Sequence, residues 1–116
     1  MERNKRDIAS IWDMMQAIRE IEEDTGDFTY QKFEQNRTVR RAVERNLEIL
    51  GEAGGRVSDE CRQQHPEIDW RKIIGLRNII IHRYEKVEAE LLWEIIVSSL
   101  PILSKELKEL YEKLNK

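Results

Sequence analysis

The sequence is poor in what most architectures other than helical ones require. Its 116 residues include one cysteine, two histidines, two prolines and five glycines. The single cysteine, Cys61, excludes an internal disulfide, and two histidines are too few for a closed four-ligand zinc site. Scarce glycine and proline leave little turn material for a sandwich or barrel. No apolar run approaches the roughly 20 residues that cross a bilayer. The first residues, Met1-Glu2-Arg3-Asn4-Lys5-Arg6-Asp7, lack the apolar core of a secretion signal, so the expected location is the cytoplasm. The net charge of −3 is not the basic excess of a dedicated nucleic-acid binder, and any RNA contact has to be local.

What is present favours helices. The chain is 40% hydrophobic and 37% charged, dominated by Lys, Glu, Arg, Leu and Ile. That size and balance suit one all-α domain, residues 1–116, around one core. From Ile8, the residues Ile8, Ile11, Trp12, Met15, Ile18 and Ile21 recur at three- and four-residue steps, as on a helix with one buried face. Asp24-Thr25-Gly26 ends it, with Gly26 suited to the left-handed residue after a helix. Thr29 caps a short second helix, stapled by Phe28 and Phe33, and Asn36 caps a third.

The third helix reads from Thr38 to Ala53, with Val39, Ala42, Val43, Asn46, Ile49, Leu50 and Ala53 on one stripe. Asn46 is a polar amide among apolar neighbours, and it is a solvated edge residue, a helix-to-helix hydrogen bond or a site residue. Arg37, Arg41 and Arg45 line one side, near Glu44, Glu48 and Glu52. They form either a solvated face laced with ion pairs or a strip that positions RNA phosphates. Gly54-Gly55 is the expected stop. A helical turn from Ser58 to Gln64 follows, closed by the loop His65-Pro66. Asp69 caps a helix that starts at Trp70 and carries Ile73, Ile74, Ile80 and Ile81 toward the core. Ile79 to Ile81 could also be a buried strand, but no second strand exists to pair with it. A last helical pattern runs from Val87 to Leu114, and Pro101 should kink or split it near Ser98 to Leu100.

The chemistry concentrates in Arg77-Asn78-Ile79-Ile80-Ile81-His82-Arg83-Tyr84. RNA can be cut without a metal if one group activates the 2′-hydroxyl, a cation steadies the phosphate and another group protonates the leaving oxygen. Histidine, titrating near pH 6.5 when unperturbed, suits the proton work, and the planar fork of arginine suits the phosphate. On a straight helix Arg77 and His82 point roughly 140° apart, while Tyr84 returns to within about 20° of Arg77. Convergence therefore needs a break near His82 or a second copy of the chain across a symmetric interface. The plain alternative is an exposed Arg77 and a helix-end His82.

The Arg-x4-His-x-Tyr arrangement of Arg77, His82 and Tyr84, with Asn78 after the arginine, resembles the signature of the HepT-like toxins of the HEPN superfamily. Gly51-Glu52-Ala53, Pro66, Trp70, Trp93 and Leu100-Pro101 fall in the same order around it, so the resemblance covers most of the chain. It implies an up-and-down helical bundle with additional short helices, homodimeric, and a metal-independent, cofactor-free endoribonuclease at the dimer cleft. It implies a type VII toxin-antitoxin system in which an MntA-like nucleotidyltransferase antitoxin transfers AMP to the motif tyrosine, here Tyr84. Carried over, Arg77 holds the phosphate, His82 transfers protons, and Asn78 orients substrate or motif. Glu52 faces the cleft without a defined role. Arg83 departs from the small or acidic residue usual at its position and adds positive charge beside the site. The competing function is a non-catalytic helical binding subunit of a nucleotidyltransferase.

Overall fold

The computed structural model describes the backbone of residues 2–81 and 85–116 and the side chains of 4–79 and 88–116. Every described element is helical. Helix α1 (Glu2–Thr25) buries Ile11, Met14, Ala17, Ile18 and Ile21. The expected stripe is corrected at two positions. Met14 is fully enclosed, whereas Trp12 is 46% exposed and packs its ring 5.8 Å from Tyr111. The steps from Ile11 to Met14 to Ile18 to Ile21 keep one face, and Trp12 and Met15 lie about 100° off Ile11 and Met14.

Helix α1 ends without a left-handed residue, because none of the described glycines has a positive φ. Thr25 Oγ1 donates to the Ile21 carbonyl at 2.7 Å and Phe28 N–H returns to Thr25 at 2.9 Å. Gly26 is favoured for a different reason: a Cβ there would stand 3.0 Å from the Glu22 carbonyl oxygen. Thr29 caps α2 (Tyr30–Gln35) and Asn36 caps α3 (Arg37–Arg56), each side chain accepting an N–H of the first turn. Phe33 is buried and Phe28 packs against the same core cluster.

Helix α3 does not stop at Gly54-Gly55. It runs through both to Arg56, and Gly51, Ala53 and Gly54 are buried along it. The chain then turns into α4 (Asp59–Gln64), capped by Ser58. Buried Asp7 of α1 accepts Ser58 N–H at 2.8 Å and Ser58 Oγ at 2.7 Å, tying this corner to the first helix. After His65-Pro66, Trp70 Nε1 donates to the His65 carbonyl at 3.0 Å and opens α5 (Trp70–Ile74), with Asp69 as its cap.

The helix expected from Trp70 through Ile81 is in fact two. Gly75 breaks it, and α6 (Leu76–Ile81) follows. Gly75 N–H reaches the Arg71 carbonyl at 3.0 Å, and a Cβ at Gly75 would meet that oxygen at 3.3 Å. The side chains of Ile80 and Ile81 lie outside the described residues, and Ile79 is 37% exposed. The split expected before Pro101 is present. Helix α7 (Glu85–Glu94) passes through a π-helical turn, Ile95–Ser99, into α8 (Leu100–Leu114), and Leu100 N–H bonds Ile95, five residues back. Proline lacks an N–H and its ring crowds the carbonyl four residues earlier, and the widened turn relieves both problems.

Helix α1 packs against α3 and α8, and α5 and α6 pack against α3. A Cβ on Gly54 would stand 2.9 Å from Ile73 Cγ2, whereas one on Gly55 would meet nothing within 4 Å. Gly54→Ala should therefore destabilise the chain by about 1–3 kcal/mol through overpacking. Gly55→Ala should stabilise it by up to about 1 kcal/mol through helix propensity. Urea unfolding of the two variants should move in opposite directions.

Candidate functional site

Arg77 and Asn78 occupy the first turn of α6 and are both exposed. Their placement depends on a residue without a side chain. A Cβ on Gly51 would lie 3.1 Å from the Ile73 carbonyl oxygen, 3.4 Å from Arg77 Cγ and 3.6 Å from Arg77 N. The stem of Arg77 therefore crosses α3 at Gly51. Ile73 meets Gly54 while Arg77 meets Gly51, so the chain from Ile73 to Arg77 advances toward the N-terminal end of α3. Among the described residues Arg77 has no ion pair, and Glu52, half-buried next to Gly51, does not bridge to it. A guanidinium without a carboxylate neighbour stays available to an anion.

His82 and Tyr84, with Arg83 between them, lie outside the described residues. Of the four expected site residues, only Arg77 and Asn78 have a described location. His65 is the loop histidine that its proline neighbour indicated, with Nδ1 3.5 Å from Glu67 Oε2. Among the described residues no group of three His, Cys, Asp or Glu side chains could hold a metal ion. Asn46 is 7% exposed, which excludes the solvated-edge reading. Arg37, Arg41 and Arg45 are exposed, and the ion pairs expected along that face do not join them among the described residues.

A groove of about 460 Å³ opens on another side of α6. Leu50, Leu76, Ile79, Leu91, Ile95 and Ile102 line it, with Lys72, Glu94 and Glu106 at its charged margin. Burial raises the Glu106 carboxyl above its ordinary range, helped by Glu67 and Glu109. Neither Arg77 nor Asn78 lines this groove, so the polar motif and the apolar concavity are separate surfaces. The residue that motif reading undervalued is Gly51. Its signal was available in the Gly51-x-x-Gly54 spacing, which places two small residues on one face of a helix.

This arrangement, an arginine on a short helix seated on a glycine of a long one within an all-helical chain, is accompanied by sequence similarity. The family described as Ribonuclease HepT-like matches residues 14–110, and the chain belongs to that family. "Probable ribonuclease HepT" of Thermococcus cleftensis is 34% identical over 116 residues, covering 100% of both chains. "Putative RNase MJ1380" of Methanocaldococcus jannaschii is 37% identical over 106 residues, 90% of this chain and 97% of that one. No solved structure matches the chain.

Because Arg77 is exposed and outside any described ion pair, Arg77→Ala should change stability by no more than about 0.5 kcal/mol. Gly51→Val, which drives a branched side chain into the Ile73 carbonyl, should cost more than about 1 kcal/mol. Thermal unfolding by circular dichroism measures both.

Proposed function

We propose that this chain is a metal-independent endoribonuclease that acts as the toxin of a two-component system, with Arg77 and His82 as its catalytic residues. The observation that carries the reading is membership of the HepT-like ribonuclease family over residues 14–110, a span that contains the whole Arg77-to-Tyr84 motif. The exposed Arg77, free of a described carboxylate partner, supports it.

In this reaction the RNA 2′-oxygen bonds to the adjacent phosphorus as its proton is taken up. The P–O5′ bond breaks, and a proton goes to the departing 5′-oxygen. The products are a cyclic phosphate and a 5′-hydroxyl end. Arg77 steadies the negative charge that grows on the phosphoryl oxygens, a contribution of about 10²–10³ for donors of this kind. His82 transfers the protons, and Asn78 orients the substrate or the motif. The angle of roughly 140° between Arg77 and His82 on a straight helix favours a homodimer whose two copies share one cleft.

Tyr84 is the control point. AMP transferred to its phenol by an MntA-like nucleotidyltransferase places an anionic phosphate two residues from His82, where it repels RNA and fills the cleft. Residues 1–116 form one domain that works in the cytoplasm, where RNA and the nucleotide donor are found. Among the described residues no helix is long and apolar enough to cross a membrane.

Expression without a partner tests this reading. The unmodified protein should arrest growth and cut RNA, and His82→Ala should lose about 10²–10⁴ of the cleavage rate while remaining folded. Tyr84→Phe should resist neutralisation by the transferase. If purified, unmodified protein leaves varied RNAs intact, catalysis is excluded and the binding-subunit function takes its place.

A further inference from the structure

We infer that the face of α3 carrying Arg37, Arg41 and Arg45 is a phosphate track that leads single-stranded RNA toward Arg77; this rests on the ribonuclease reading above. All three arginines are exposed, and no described ion pair or side-chain hydrogen bond occupies them. Two exposed arginines on other surfaces do find carboxylates, in Arg19–Glu23 and Arg56–Asp13.

The placement works against the helix itself. The first turn of α3 contains no acidic residue and begins with Arg37, at the end where the helix dipole is already positive. Cations four residues apart repel one another as well. An anion laid along this face removes both penalties. Successive arginines are about 6 Å apart along the axis, a step that long, forked side chains can match to neighbouring phosphates of one strand.

Direction follows from how the helices pack. From Ile73 at Gly54 to Arg77 at Gly51, the chain advances toward the arginine end of α3. Gly51 lies about 9 Å beyond Arg45 along the helix axis and about 120° round it, while Glu48 and Glu52 continue the arginine face, so the strand turns around α3 between the arginines and Arg77. Glu48 and Glu52, half-buried on the intervening stretch, hold a phosphate backbone off it. The strand is therefore gripped at two places, by the three arginines and by Arg77. Among the described residues, the exposed large hydrophobics Trp12, Ile79, Leu91, Val97 and Ile102 all belong to other helices, so this face is suited to an electrostatic ligand. A single row of cations one helix wide fits one backbone and reads no sequence.

The test compares the unmodified chain with a triple variant, Arg37→Gln, Arg41→Gln and Arg45→Gln. A control removes three exposed cations elsewhere, Arg19→Gln, Lys108→Gln and Lys113→Gln. Binding is read on a short single-stranded RNA whose 2′-hydroxyls are methylated to prevent cutting, and cleavage on the unmodified RNA. With about 0.7 of salt slope per phosphate contact, the track variant should lose roughly 2 units of slope. Between about 50 and 200 mM salt, the unmodified chain should lose roughly 15–20-fold more affinity than the variant. KM should rise with kcat unchanged, and the control should alter neither quantity. Unchanged slope and KM in a folded track variant overturn the proposal. So does an unchanged slope accompanied by a weakened hold on the transferase partner, which would make the face a protein interface. If the unmodified chain binds RNA through the track but never cuts it, the track stands and the ribonuclease reading falls.

Discussion

The close packing of α5 and α6 against α3 is the constraint on which the rest of this molecule depends. Helices approach this tightly only where side chains are missing from the contact, and Gly51 and Gly54 supply that gap on one face of α3. Ile73 fills the space above Gly54, with its Cγ2 2.9 Å from where a Cβ would stand, and the stem of Arg77 passes over Gly51. The apolar and polar roles of the segment from Trp70 to Ile81 are thus set by one contact. The isoleucine anchors it and the arginine is carried to the surface. Glycine inside a helix weakens it by roughly 0.5–1 kcal/mol relative to alanine, a penalty that the packing of Ile73 offsets.

Two further positions show how backbone irregularity is contained. Gly75 separates α5 from α6 with ordinary helical angles, φ −69° and ψ −11°, and its N–H still finds the Arg71 carbonyl. Before Pro101 the chain inserts a π-turn, so α7 and α8 continue past a residue that cannot donate. In both cases the break moves the following helix without stranding backbone groups in the core. The pairing of buried Asp7 with half-buried Ser58 does similar work at the start of α4, where one carboxylate holds both the amide and the hydroxyl of the cap.

Local chemistry was legible where a side chain completes a backbone hydrogen bond within a few residues. Thr29, Asn36 and Asp69 are the caps that their side chains suggest, each accepting an N–H in the turn that follows, and Ser58, expected as the first residue of a helical turn, caps it instead. The disruption ahead of Pro101 was legible because a missing donor acts at a fixed offset. Glycine was not legible in the same way. Gly54-Gly55 reads as a stop and is helix, Gly26 reads as left-handed and is not, and Gly75, unmarked by its neighbours in sequence, is the break. A glycine permits many conformations, and its neighbours in space select among them. The motif around Arg77 is legible as an inventory of groups, and the Gly51-x-x-Gly54 spacing shows two small residues on one face of a helix without showing that Arg77 lies over them.

The sequence by itself determined the helical class, the caps, the family and the residue types able to handle a phosphate. Each of these follows from periodicity, from contacts within a turn or from similarity along the chain. Only the tertiary structure decided which glycines are contacts and which are breaks, that Trp12 faces outward while Met14 is enclosed, and that Arg77 stands over Gly51 clear of described carboxylates. Those outcomes depend on which helix lies against which. That is a property of residues distant in sequence, and no local pattern encodes it.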